Sequence, residues 1–401
     1  MMKQTNLVPK RRFREFQDND AWEQREFFDN IKSTVDFRGR TPKKLGLDWS
    51  ETGYLALSAL NVKHGYIDPS ADAHYGNQEL YDKWMTGREL RKGQVLFTTE
   101  APMGNVAQVP DDKGYILSQR TIAFDVNPEK ITNDFLAVLL RSPKTFAELS
   151  ALSSGGTAKG VSQKSLSQLK VTLPKDLEEQ AKVAALFKKL DHLITLQQRK
   201  LDKLKALKSA YLSEMFPADG ESEPKRRFAG FTQAWEQRKL GELCDEFQSG
   251  KYIKTEDIRG EGRYPVFGGN GLRGYTNTYN HDGLFALIGR QGALCGNMNI
   301  SLGKAYFTEH AIAVKGNKNN ETRFLFYLLG EMNLGQYSGQ SAQPGLAVNK
   351  LIELSVFIPS FTEQARIGAF FKQLDKLITL HQRKLEKLQN IKKAYLNEMF
   401  V

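Results

Sequence analysis

The sequence predicts a chain duplicated about a pseudo-twofold: two divergent domains on one plan, separated by two long helices that form an antiparallel coiled coil. Three observations predict it. Residues 179 to 216 (EQAKVAALFKKLDHLITLQQRKLDKLKALKSAYLSEMF) align without a gap on residues 363 to 400 (EQARIGAFFKQLDKLITLHQRKLEKLQNIKKAYLNEMF), with about 25 of the 38 pairs identical. Weaker echoes recur in one order through both halves. Both aligned segments also carry a heptad seam.

In chain order, an N-terminal lead-in over residues 1 to 25 holds PKRRF and AWEQR, which return between Pro224 and Arg238. A first domain over residues 26 to 175 and a second over residues 235 to 360 share further landmarks. SQRTIAF at Ser118 returns as TEHAIAV at Thr308, and FLAVLL at Phe135 as FLFYLL at Phe324. SGGTAKG at Ser154 returns as SGQSAQPG at Ser338, and QLKVTLP at Gln168 as ELSVFIP at Glu353. Each domain closes on a strand-like run and a proline, then opens a helix over residues 176 to 217 or 361 to 401. Pro217 stops the first helix, and residues 218 to 234 link it onward.

The seam of the first helix runs Val183, Phe187, Leu190, Ile194, Gln197, Leu201, Leu204, Lys208, Tyr211, Met215 in alternating steps of four and three. The second repeats it with Ile367, Phe371, Leu374, Ile378, His381, Leu385, Leu388, Lys392, Tyr395, Met399. Polar residues at matching places, Gln197 with Lys208 and His381 with Lys392, are the means by which coiled coils select register and orientation. Asp176 to Glu179 and Ser360 to Glu363 have capping-box spacing. Connectivity favours the antiparallel pair, because a parallel one would force the second domain to stretch back along a rod of about 57 Å. That arrangement sets the two domains at opposite ends of the rod. Leu186, Leu193 and Leu207, with Phe370, Leu377 and Ile391, each precede a seam residue and widen the apolar stripe into a surface for a partner or for the chain's own domains.

The net charge of +11 and pI near 9.3 favour a polyanionic partner. Each helix holds eight Lys or Arg against four Asp or Glu, so the pair supplies most of that excess. Two cysteines, Cys244 and Cys295, point to reduced thiols, and no run of 18 apolar residues is present, so a cytoplasmic, soluble chain without a membrane span is expected. There is no GxxxxGK[ST] phosphate loop, no HExxH, no metal-spaced Cys/His cluster and no adenine methyltransferase signature. Gly269, Gly271 and Gly274 satisfy GxGxxG but lead into turn and strand formers, so they serve tight turns or close backbone approach rather than a dinucleotide. Glycine-rich turns also follow buried-strand patterns at LFALIGRQGALCGN (Leu284) and, in the first half, QVLFTTEAPMGN (Gln94).

The chain resembles the specificity (S) subunits of type I restriction-modification enzymes. The resemblance rests on strand, Pro, EQ and LD at each helix start (Pro174, Glu179, Gln180, Asp191; Pro359, Glu363, Gln364, Asp375). It rests also on GRTPKK at Gly39, YPVFGGNG at Tyr264, IGRQG at Ile288 and AYFTEHAIAV at Ala305. It implies an α/β (α+β) fold class, with two target recognition domains of similar mixed fold, each reading one half of a split sequence in double-stranded DNA, and a coiled coil that sets the unread spacer. It implies no catalytic residue, metal or cofactor in this chain. Two methylation (M) subunits binding S-adenosylmethionine, and restriction (R) subunits using ATP and Mg, are the implied partners.

Side chains suited to base edges and phosphates then become the expected DNA contacts. In the first domain these are Arg38, Arg40, Lys43, Arg120 and Lys159; in the second, Lys251, Lys254, Arg273, Arg290, Gln291, His310 and Gln343. A stand-alone duplicated DNA-binding regulator would share the charge and the repeat but would need no second apolar surface on its helices. A coiled-coil scaffold would not need two domains so unlike in sequence.

Overall fold

The computed structural model describes residues 7–153, 159–218, 220–292, 294–338 and 345–401. They form two units, Met1–Gln197 with Lys384–Val401, and Gln198–Arg383.

In the first unit, β1 (Glu23–Glu26) pairs with β11 (Lys170–Leu173) beside the helix start. A four-stranded antiparallel sheet follows the order β2 (Ile31–Asp36), β10 (Thr121–Val126), β7 (Val95–Thr98), β8 (Val106–Gln108). A smaller sheet sets β3 (Tyr54–Leu57) between β6 (Tyr75–Gly76), antiparallel, and β9 (Ile116–Leu117), parallel. A hairpin of β4 (Val62–Lys63) and β5 (Tyr66–Ile67) and a helix, α1 (Gln78–Met85), lie in the chain between β3 and β7. Helices α2 (Asn133–Leu139), α3 (Pro143–Leu152) and α4 (Gln163–Leu166) come after β10, each with a Thr or Ser N-cap accepting a backbone N–H. One long helix, α5 (Leu177–Met215), begins here and ends in the other unit.

The second unit repeats that topology. β12 (Glu236–Lys239) pairs with β20 (Ser355–Ile358). The four-stranded order is β13 (Cys244–Ser249), β19 (Ala311–Gly316), β16 (Leu284–Gly289), β17 (Met298–Leu302). The small sheet sets β14 (Tyr264–Gly268) between β15 (Gly271–Thr276), antiparallel, and β18 (Tyr306–Phe307), parallel. Helices α6 (Thr322–Glu331), α7 (Val348–Leu351) and α8 (Phe361–Glu398) complete it. Among the described residues the hairpin and α1 have no counterpart here, and the first domain is the longer. GxGxxG opens β15, a strand, as its neighbours in sequence indicate.

The two long helices run antiparallel within each unit. In the first, Phe187 meets Phe400 and Asp191 pairs with Lys392; in the second, Phe216 meets Phe371 and Lys208 pairs with Asp375. In both units the Asp of the LD motif is shared. Asp191 Oδ1 takes the Lys392 ammonium at 2.5 Å and Oδ2 the Arg141 guanidinium at 2.7 Å. Asp375 Oδ1 takes Lys208 at 2.6 Å and Oδ2 accepts from Tyr327 Oη at 2.7 Å. Burial and then that bond raise the Tyr327 phenol above its ordinary value. Polar seam lysines therefore lock each helix end to its domain and fix the register.

Apolar seam residues supply the packing. Phe187, Leu190, Leu201, Phe371, Leu374 and Leu385 are buried, while Ile194, Gln197, Leu204, Ile378, His381 and Leu388 are half-buried. Met399 and Phe400, just past the end of α8, enter the core of the first unit beside Trp22 and Phe135; Met215 and Phe216 enter that of the second beside Phe324.

The EQ motif has a different use from the capping box its spacing predicts. Asp176 does accept from Glu178 N–H at 2.8 Å. Glu179, however, turns inward. It accepts from Arg12 Nε and Nη2, both at 2.7 Å, and from Trp22 Nε1 at 3.1 Å. Glu363 likewise accepts from Arg227 Nε at 3.0 Å and Nη2 at 2.7 Å. A bidentate guanidinium outcompetes a backbone N–H for a buried carboxylate. The neighbouring Gln180 and Gln364 each donate to the proline carbonyl before the helix, and accept from the backbone N–H of Thr132 and Glu321. PKRRF, AW and EQ thus form one buried junction, built twice.

Candidate nucleic-acid interface

The two four-stranded sheets end in matching corners. In the first unit, Thr99 N–H donates to Arg120 O and Val161 N–H to Thr99 O, both at 2.9 Å, and Glu100 bridges Gly160. In the second, Arg290 N–H donates to His310 O and Leu346 N–H to Arg290 O, both at 2.9 Å, and Gln291 bridges Gly345. Backbone hydrogen bonds therefore make Arg120 the equivalent of His310, and Glu100 that of Gln291. The side chains at these equivalent places differ. Glu100 and Arg120 form an exposed ion pair at 3.0 Å, whereas Gln291 Oε1 lies 2.9 Å from His310 Nδ1.

Around the first corner, Arg38 is exposed and pairs with Asp36 at 2.8 Å, and Gln163 Nε2 donates to the same carboxylate at 2.9 Å. Lys159 is exposed next to Gly160. Lys43 is exposed on the short turn Lys43–Leu45. Arg40 lies over the Phe37 ring at 4.5 Å and donates to Trp84 O, so much of its binding capacity is used within the fold.

Around the second corner an open cleft of about 640 Å³ brings Arg273, Gln291 and His310 together with Gly269, Asn270, Leu272, Gly292 and Leu294. Two glycines make this possible. A Cβ on Gly289 would collide with the Gly269 carbonyl, and one on Gly269 would press on His310 O at 2.9 Å, so the β14–β15 turn seats on the end of β16 only without side chains there. Below it, His281 stacks on Phe307 at 4.4 Å, with Nε2 2.6 Å from Glu246 and Nδ1 2.7 Å from Asn280. That pin holds β18 under the corner. Lys251 is exposed, and its N–H donates to Phe307 O. Arg290 is half-buried, with Nε donating to Leu346 O at 3.4 Å. Lys254 belongs to a separate cleft of about 580 Å³ with Tyr252, Arg259 and Tyr306, and Gln343 lies outside the described residues.

Sequence reasoning passed over Glu100, Leu272 and Leu294. The signal for Glu100 was the pairing of TTEAPMGN with IGRQGALCGN, which sets it against Gln291; a search for basic residues skips an acid. At both corners a polar atom is buried without a partner: Thr121 Oγ1 in the first unit and Glu309 Oε2 in the second, where Glu309 Oε1 lies 3.2 Å from His310 Nε2. Among the described residues no His, Cys, Asp or Glu group could hold a metal ion, and no helix is long and apolar enough to cross a membrane.

Comparison with known proteins gives the corners a context. A sequence model of the type I restriction modification DNA specificity domain matches residues 20–206 and again 232–390. The specificity subunit of the type I restriction enzyme EcoprrI from Escherichia coli is 46% identical over 142 residues, which are 34% of this chain and 35% of that protein. The MjaVIII specificity subunit of Methanocaldococcus jannaschii is 23% identical over 333 residues, 73% of this chain and 75% of that one. In fold, the chain is similar to the crystal structure of a type I restriction-modification S subunit from M. genitalium, with a TM-score of 0.71, 19% identity and coverage of 98% and 99% of the two chains.

Proposed function

Since the chain belongs to the type I restriction modification DNA specificity family, we propose that it directs a type I complex to a bipartite site in double-stranded DNA, each domain reading one half through its sheet corner. The observation that carries this reading is the pair of backbone-equivalent corners with unlike side chains. One framework presenting two chemistries is what an asymmetric, two-part target requires. Arg38, Lys159 and Lys251, exposed around the corners, and Lys43, exposed on its turn beside α1, are the phosphate contacts that set register on the duplex.

The repeated helical surface, with its exposed Leu196, Leu207, Leu377 and Leu380, docks two methylation subunits. Those subunits bring S-adenosylmethionine and the catalytic groups, restriction subunits bring ATP and Mg, and the whole works in the cytoplasm. The helices fix the unread spacer.

Domain replacement tests the reading. Exchanging residues 26 to 173 for the first domain of another family member, in a complex with methylation subunits, changes one half of the methylated sequence and leaves the other intact. A change in both halves, or methyl transfer by the purified chain alone, contradicts it.

A further inference from the structure

Resting on that reading, we infer that Glu100 with Arg120 reads a C·G base pair in one half-site, and that Gln291 with His310, flanked by Leu272 and Leu294, reads an A·T pair at the corresponding place in the other. The two pairs occupy one position in the shared framework, fixed by the same backbone hydrogen bonds and the same bridging glycine. Only the letters they present differ.

The chemistry follows from the major-groove edges. A C·G pair offers the cytosine N4 amino donor beside the guanine O6 and N7 acceptors; a carboxylate accepts from the first and a guanidinium donates bidentately to the second. Glu100 and Arg120 already stand 3.0 Å apart, the spacing of adjoining groups on one base pair, with exposures of 50% and 55%. An exposed ion pair is held by only about 0–1 kcal/mol, so both side chains are available to turn onto bases. The acid also rejects. A carboxylate facing the acceptor edge of guanine or the O4 of thymine is repelled, on a surface where a neutral side chain would be tolerated.

The second corner has the opposite bias. Gln presents a donor and an acceptor to adenine N6 and N7. Leu272 and Leu294 stand 53% and 45% exposed in the same cleft, apolar side chains among polar neighbours. The 5-methyl of thymine is the one apolar group on the major-groove edge of an A·T pair.

The test uses the chain in complex with its methylation subunits and a pool of duplexes randomised across the binding window, sequencing the methylated fraction. Wild type yields a two-part consensus. Arg120→Ala lowers the preference for C·G at one position of one half-site by roughly 5- to 150-fold, the span of a bidentate base contact. Glu100→Gln lowers it at the same position by less, and both leave the other half-site as it was. Gln291→Glu shifts one A·T position in the other half-site only. Replacing that thymine by deoxyuridine weakens binding by wild type but not by a Leu272→Ala/Leu294→Ala variant, which shows the methyl contact directly. A consensus untouched by both Glu100→Gln and Gln291→Glu, or uniform loss of methylation without a positional change, overturns the inference while the proposed function stands. A wild-type pool with no two-part consensus overturns both.

Discussion

Replacing Glu179 with Gln removes the charge that holds the lead-in to the first long helix. Glu179 and Arg12 are 1% and 5% exposed at the side chain, and the carboxylate takes both guanidinium contacts at 2.7 Å. Losing one partner of such a pair leaves a buried, uncompensated cation and costs about 3–5 kcal/mol. For a unit of this size, each kcal/mol corresponds to roughly 2–4 °C of melting temperature, so calorimetry of the purified chain should show a fall of about 6–20 °C. The double variant Arg12→Met/Glu179→Leu removes both charges and should recover most of the loss, because an apolar replacement of a buried pair is close to neutral. A single variant that melts within about 2 °C of wild type, or a double variant as unstable as the single, would refute the argument.

Trp22 donates to Glu179 while Trp235 Nε1 is buried without a partner; Trp22→Phe should therefore cost about 1 kcal/mol more than Trp235→Phe in chemical denaturation, and equal losses would count against it. Burial pushes the Cys244 thiol up to about 12 and raises Cys295 as well, so at pH 8 a disulfide reagent should titrate both slowly in the native chain, Cys244 the slower, and rapidly after denaturation. Burial also raises Glu321 above its ordinary value. Its contribution to stability is full below the unfolded value of 4.5 and fades as pH rises through the folded one, so the stability of Glu321→Gln relative to wild type should increase between pH 4 and pH 8. A difference that stays flat with pH would be the contrary result.

The long helices were legible almost to the residue because a heptad is a local pattern. Helices expected over residues 176 to 217 and 361 to 401 compare with Leu177–Met215 and Phe361–Glu398. The destination of Glu179 was not legible, since its partner lies 167 residues away. Spacing alone pointed to a cap. The identical sheet order of the two domains was equally hidden: β9 and β18 are two residues long, and their parallel pairing to β3 and β14 is non-local. Short strands leave too little pattern to read. Arg120 and His310 stand within repeated flanks, SQRTIAF and TEHAIAV, but whether a basic side chain faces outward, as Arg38 does, or lies on a ring, as Arg40 does, depends on tertiary packing.

Repetition within the chain follows burial. The junction of Arg12, Trp22 and Glu179 recurs as Arg227, Trp235 and Glu363, where replacing one member exposes a desolvated charge at a cost of several kcal/mol. The corner pairs, Glu100 with Arg120 and Gln291 with His310, are unlike, and the exposed ion pair of the first contributes only roughly 0–1 kcal/mol to the fold. A duplicated chain can therefore change what each half reads without disturbing what holds each half together. The physical separation is steep. On the proposed function, specificity resides in exposed corner side chains, while each buried junction residue carries about several kcal/mol of the fold.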